Sequence, residues 1–178
     1  MARQMSTRSR LAALCALAMA AAANLGLTDE PAAAPSRLAN QEAELRGSLA
    51  TTAATVVHTS DSVTLNFPVR LAFGADRDEL LPAGTEVLDA VAHSLKDYKH
   101  TQLVISVYTD AIGSSDFNQQ QSQARATAVL DYLRSKGVET ERMVARGAGE
   151  GAQLAAPNTP EGRDLNRRLE LTITTLSS

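Results

Sequence analysis

The 178-residue chain has no tryptophan, three phenylalanines, three tyrosines, one cysteine and three histidines. A single cysteine cannot close an intramolecular disulfide, and Cys15 with His58, His93 and His100 shows no zinc-ligand spacing, which excludes disulfide scaffolds and structural zinc modules. No cofactor or metal is therefore expected. Basic residues are also few, with 17 Lys and Arg against 20 Asp and Glu, a formal charge of −3. Without a basic stripe to meet phosphates, nucleic acid is not an expected partner. The hydrophobic content is 44%, but 31 residues are alanine, which buries little area per side chain. One ordinary domain with a modest core, plus extra segments, fits these numbers.

What is present begins with Arg3, Arg8 and Arg10 ahead of an apolar run over residues 11–23. This reads as a secretory signal over residues 1–23, with small residues at 20–23 for an Ala-x-Ala cleavage site. An uncleaved anchor is the alternative, because the apolar stretch extends to Leu27, about 17 residues and at the lower edge of what spans a bilayer. Cys15 does not read as a lipidation site, since the bulky Leu14 stands where a small residue is needed. Residues 11–27 hold no ionisable side chain but Cys15, which argues against a proton-driven motor subunit. Cleavage removes three arginines and no acid, taking the charge from −3 to −6 and leaving no cysteine, as suits an oxidising compartment.

Residues 24–54 read as a linker and short helix. Residues 28–36 are rich in proline and alanine, while residues 37–54 carry Leu38, Leu45 and Leu49 as an interrupted apolar stripe. That segment is either a solvated lead-in helix, a spacer, or half of an interface with an envelope protein partner.

The folded domain is expected over residues 55–178. Val56 and Val57, then Val63, Leu65 and Phe67, flank a polar turn and predict a β-hairpin, with Val69, Leu71 and Phe73 continuing the alternation past Pro68. Pro82 opens a helix whose apolar face is Val87, Leu88, Val91 and Leu95. Residues 103–108 predict a strand buried on both faces. A second helix starts between Ser114 and Ser122 and ends before Gly137. Residues 143–147 read as a strand, 148–166 as a long loop and 169–173 as a closing strand. The fold class is α/β (α+β): a β-α-β-α-β mixed sheet with helices packed on it, preceded by a hairpin.

The segment carrying chemistry is Thr109-Asp110-Ala111-Ile112-Gly113 with Asn118 and Arg125. Asp110 follows directly on a buried strand, where α/β sheets place ligands, and Gly113 permits a turn into the helix bearing Arg125. A carboxylate and a guanidinium on one rim, with the Asn118 amide nearby, can receive a zwitterion: ammonium onto Asp110, carboxylate onto the Arg125 fork. Spacing alone equally allows a structural ion pair. Ser114, Ser115 and Ser122 have no histidine in their segment and no paired carboxylates are evident, so an enzyme is not expected.

These residues, in their order and spacing, resemble the OmpA-like peptidoglycan-binding domain family. The resemblance runs from about Val63 to Thr174. It includes Phe73, Asp76 and Leu80, then Thr109-Asp110 with Gly113 and Asn118, then Arg125-Ala126 and Tyr132-Leu133 before Gly137. It continues through Arg142, Gly147-Ala148-Gly149, Glu161-Gly162-Arg163 and Asn166-Arg167-Arg168-Leu169-Glu170. The resemblance implies an OmpA-C-like fold and non-catalytic binding of peptidoglycan through the meso-diaminopimelate of its stem peptide, in the periplasm of a Gram-negative cell. The protein or the outer membrane would thereby be tethered to the wall. It further implies that Asp110 takes the ammonium and Arg125 the carboxylate, that Asn118, Thr109 and Asp76 line the same pocket, and that Arg163, Asn166 and Arg167 chiefly fix a loop. Two departures stand out: Val107-Tyr108 where Gly-His is usual before Thr-Asp, and Gln121-Ser122 where Leu-Ser is usual. A membrane-anchored accessory subunit of a stator or secretion machine, and a cell-wall-modifying enzyme, are the competing functions.

Overall fold

Alternating apolar residues build the sheet, and helical spacing covers one side of it. The computed structural model describes residues 36–74 and 78–176; the expected signal, most of the linker and Asp76 lie outside the described residues. The elements are α1 (Arg37–Ser48), β1 (Thr55–His58), β2 (Ser62–Pro68), α2 (Val69–Ala72), α3 (Pro82–Asp97), β3 (Thr101–Tyr108), α4 (Ser115–Ser135), a 3₁₀ turn (Thr140–Arg142), β4 (Met143–Gly149), α5 (Pro160–Asn166) and β5 (Arg168–Thr175). The mixed five-stranded sheet has the order β1-β2-β5-β3-β4. β5 is antiparallel to both β2 and β3, while β4 lies parallel to β3 across the α4 crossover. β2 and β3 thus run in the same direction without being neighbours, because the last strand enters between them.

The core layer runs across the register, with Val63 opposite Ile173, Leu65 opposite Leu171 and Phe67 opposite Leu169, continued by Leu103, Ile105 and Val107 on β3. All nine are buried. The other face carries Thr64, Ser106, Glu170 and Thr172, each half-buried. β3 is therefore buried on one face only, contrary to what its continuous apolar run predicts. Val104 and Tyr108 point to the polar side and are half-covered by their neighbours in the sheet.

Residues 69–73 also depart from expectation. In place of a continued strand, Val69–Ala72 close one helical turn in which the Phe73 N–H donates to the Val69 carbonyl at 2.9 Å. Pro68 ends the pairing with β5, and the Val69 N–H finds the Arg167 carbonyl instead at 3.1 Å. The loop of 148–166 is not wholly irregular either: Thr159 caps α5 by accepting from the Gly162 N–H at 3.1 Å, and Pro160 opens that helix.

Helix α1 is part of the domain. Ser36 caps it, and Leu38, Leu45 and Leu49 are buried in the common core, while the Gln41 amide donates to the Ser94 hydroxyl of α3 at 3.0 Å. The packed unit thus begins at Leu38 rather than at Thr55, and the leucines that an outside partner would have needed are already covered. Leu45→Ala is expected to lower stability by about 2 kcal/mol, the low end for a buried leucine, since a helix at the edge of the packed unit can relax. Urea denaturation measures this; a loss near zero would mean a solvated helix.

Helix α4 seals the outer edge of β4. Gln119 donates to the Gly147 carbonyl at 2.8 Å, Gln123 accepts from the Gly147 N–H at 2.8 Å, and Ser122 accepts from the Gly149 N–H at 3.0 Å. The approach is so close that a Cβ on Gly147 would stand 2.3 Å from the Gln123 nitrogen. Glycine is needed there for space. The glutamine-rich run of α4 is thus a cover for exposed strand edge.

Candidate functional site

The loop between β3 and α4 shapes one side of a cavity of about 600 Å³, ordinary for a small-molecule site. Thr109 continues β3 by donating its N–H to the Gly149 carbonyl at 2.8 Å. The Asp110 side chain then turns back to accept the Ile112 N–H at 3.2 Å, and the Asn118 amide donates to the Asp110 carbonyl at 3.3 Å. Gly113 sits at φ 99°, a left-handed conformation that lets the chain reverse into α4. Ser114 caps the helix by accepting from the Phe117 N–H at 3.2 Å.

Asn118, Ser122, Arg125 and Val129 fall on the inward face of α4 at helical spacing, all buried. Arg125 lies with its guanidinium 5.5 Å from the centre of the Phe73 ring, within cation–π range, and donates to the Gln121 amide oxygen at 3.3 Å. Asp110 and Arg125 retain 8% and 7% exposure, so solvent screens their charges weakly. Both line the cavity, as do Thr109, Gly113 and Asn118. The Thr109 hydroxyl is buried and has no hydrogen-bond partner among the described residues.

The geometry of the terminal signature differs among its members. Asn166 fixes the loop before α5, accepting the Leu154 and Ala155 N–H groups at 2.8 and 3.0 Å and donating to the Ala155 carbonyl at 3.0 Å. Arg163 reaches the Pro157 carbonyl at 3.5 Å. Arg167 does something else: its guanidinium joins the Asp110 carboxylate inside the cavity and Asp164 at its other edge. Its place is in the cavity wall rather than in the loop. A carboxylate has about four acceptor positions, so Asp110, with Arg167 and Ile112 already bound, keeps capacity for an incoming ammonium.

Of the residues singled out from the sequence, Thr109, Asp110, Gly113, Asn118, Arg125 and Arg167 meet at one cavity, whereas Arg163 and Asn166 are not among its lining residues. Among the lining residues, sequence reasoning misses Arg70 and Phe117. Arg70 lies in the turn that alternation predicts as strand, and nothing in the sequence ties it to residues 109–125. Of the two departures from the family pattern, Gln121 orients Arg125, while Tyr108 stays on the open face of the sheet. There the Arg168 guanidinium stacks 3.8 Å from its ring centre, and burial, with the Glu170 charge, pushes the Tyr108 phenol upward from its usual range. One surface cluster could hold a metal ion: Glu44, His93 and Asp97 bring ligand atoms within 4.8 Å of one another between α1 and α3. No spacing rule could find it, because its members come from two separate helices.

Known proteins share this architecture. The Probable lipoprotein YiaD of Escherichia coli (strain K12) is 37% identical over 136 residues, 76% of this chain and 62% of that one. The peptidoglycan-binding protein ArfA of Mycobacterium tuberculosis is 40% identical over 103 residues, 58% of this chain and 32% of that one. The chain thus spans less than two thirds of either relative. A MotB-like protein from Desulfovibrio vulgaris superposes with a TM-score of 0.69 at 24% identity, over 78% of this chain and 91% of that one. The OmpA family matches residues 72–167, more than half of the chain. With β3, β4, the helices α3 to α5 and the β3–α4 loop all inside that match, the chain belongs to the OmpA family.

Proposed function

We propose that this domain binds peptidoglycan without altering it, holding the zwitterionic end of meso-diaminopimelate in the cavity between α2, the β3–α4 loop and α4. The observation that carries the reading is a nearly buried carboxylate and a nearly buried guanidinium in the walls of one cavity beside the unpartnered Thr109 hydroxyl. Arg125 forks onto the ligand carboxylate, oriented by Gln121 and the Phe73 ring. Asp110 receives the ammonium, held in place by the Ile112 N–H and by Arg167. Asn118 fixes the turn by bonding the Asp110 carbonyl. ArfA, by its name a peptidoglycan-binding protein, supports the ligand class. Residues 1–23 deliver the chain to the periplasm, where the domain anchors it to the wall. No nucleophile and base pair is part of this design.

Purified sacculi test it. The protein should pellet with walls whose stem peptides carry diaminopimelate and stay in solution with walls that carry lysine there, since lysine lacks the second carboxylate. Equal pelleting on both walls overturns the assignment, and release of soluble wall fragments overturns the non-catalytic reading.

A further inference from the structure

Three of the described lining residues of the cavity are arginines, and they differ in what already holds them. Arg167 is shared between Asp110 and Asp164, and Arg125 is buried against the Phe73 ring and Gln121. Arg70 differs from both. It projects from the last turn of α2, is exposed, and makes no ion pair or hydrogen bond with any described residue. The other exposed lining residues, Ile112, Gly113 and Phe117, offer no charge. Among the described residues, the rim thus presents one exposed cation beside an apolar stretch, in a protein whose net charge is negative.

We infer that Arg70 forms a second anion subsite, which reads the free α-carboxylate of the D-glutamate preceding diaminopimelate in the stem peptide. This rests on the binding mode proposed above. That glutamate is linked through its γ-carboxyl, so its α-carboxylate hangs free from the backbone one residue away from the side chain that enters the cavity. A ligand seated by its diaminopimelate end must carry this second anion across the rim. Arg70 is the described rim group that can bond it in a charge-assisted way. The domain thus distinguishes stem peptides with free D-glutamate from those in which that carboxyl is amidated to D-isoglutamine. Because Arg70 is exposed, the preference is modest and salt-sensitive.

Calorimetry with three synthetic tripeptides decides the matter: L-Ala–γ-D-Glu–meso-diaminopimelate, its α-carboxamide counterpart, and the peptide with lysine in the third position. The wild-type protein should bind the free acid about fivefold more tightly than the amide, with the difference shrinking in high salt. Arg70→Gln should bind both diaminopimelate peptides with the wild-type affinity for the amide. Equal wild-type affinities for acid and amide overturn the subsite while leaving the diaminopimelate site standing, as does a preference that survives in Arg70→Gln. Failure to bind either diaminopimelate peptide better than the lysine peptide overturns the underlying reading and the subsite with it.

Discussion

Arg125→Ala is expected to reduce sacculus binding at least a hundredfold, below what pelleting detects. The guanidinium is almost buried, so the ligand carboxylate that it would meet is desolvated on binding and has no water to fall back on. Removing one partner of such a charge pair costs on the order of 3 kcal/mol, which is about a factor of 150 in affinity. Arg125→Lys should recover part of the binding, because the charge returns without the two-pronged donor geometry. Asp110→Ala should also abolish binding, by removing the ammonium acceptor and leaving Arg167 to Asp164 alone. The fold should survive both changes. The lost contacts include the stacking on Phe73, worth about 1 kcal/mol, and the hydrogen bond to Gln121, neither of which joins strands of the sheet. Circular dichroism and melting, run beside the pelleting, separate the two effects; full binding by both folded variants would sink the site.

Arg142→Ala should cost more stability than Leu45→Ala, about 4 kcal/mol. Its guanidinium is buried and donates to three main-chain carbonyls, those of Leu95, Tyr98 and Thr101, each at 2.8 Å. Two of these belong to the end of α3 and its exit, where helix carbonyls lack partners of their own, and the third to the first residue of β3. One side chain thus joins the helix terminus, the following turn and the strand. Alanine would take this donor from the Leu95 and Thr101 oxygens in the interior, at roughly 1–3 kcal/mol apiece before any rearrangement, while the Tyr98 oxygen keeps the Thr101 N–H and hydroxyl. Against a typical domain stability of about 5–15 kcal/mol, this brings the protein near its unfolding threshold. Urea midpoints measure the change. A loss under about 1 kcal/mol would show that water replaces the guanidinium without penalty.

The elements legible in the sequence are those whose burial follows a single period. The face of α3 is Val87, Leu88, Val91 and Leu95, and β2 alternates through Val63, Leu65 and Phe67, so pattern and structure coincide. The Val69–Phe73 stretch misleads because alternation describes which residues are apolar and not whether a ladder partner exists. Pro68 ends the ladder, and the chain takes a helical turn that still buries Val69 and Ala72. The run 103–108 misleads for a related reason. Val104 is apolar yet lies on a face that no helix covers.

The sequence by itself determined the sheet-and-helix class, the position of Asp110 at the end of a strand, and the presence of Arg125 on the following helix, near the same rim. These are local facts, set by strand and helix periods and by a loop of a few residues. Only the tertiary structure decided which groups from distant segments join them. Insertion of β5 between β2 and β3 carries Arg167 to Asp110, 57 residues away in the chain. The turn after β2 brings Arg70 to the same cavity, and the burial of Leu38, Leu45 and Leu49 makes α1 part of the core rather than a tether. Hydrophobic periodicity specifies which face of each element turns inward; strand order and packing choose its neighbours, and that choice has no signature in local spacing.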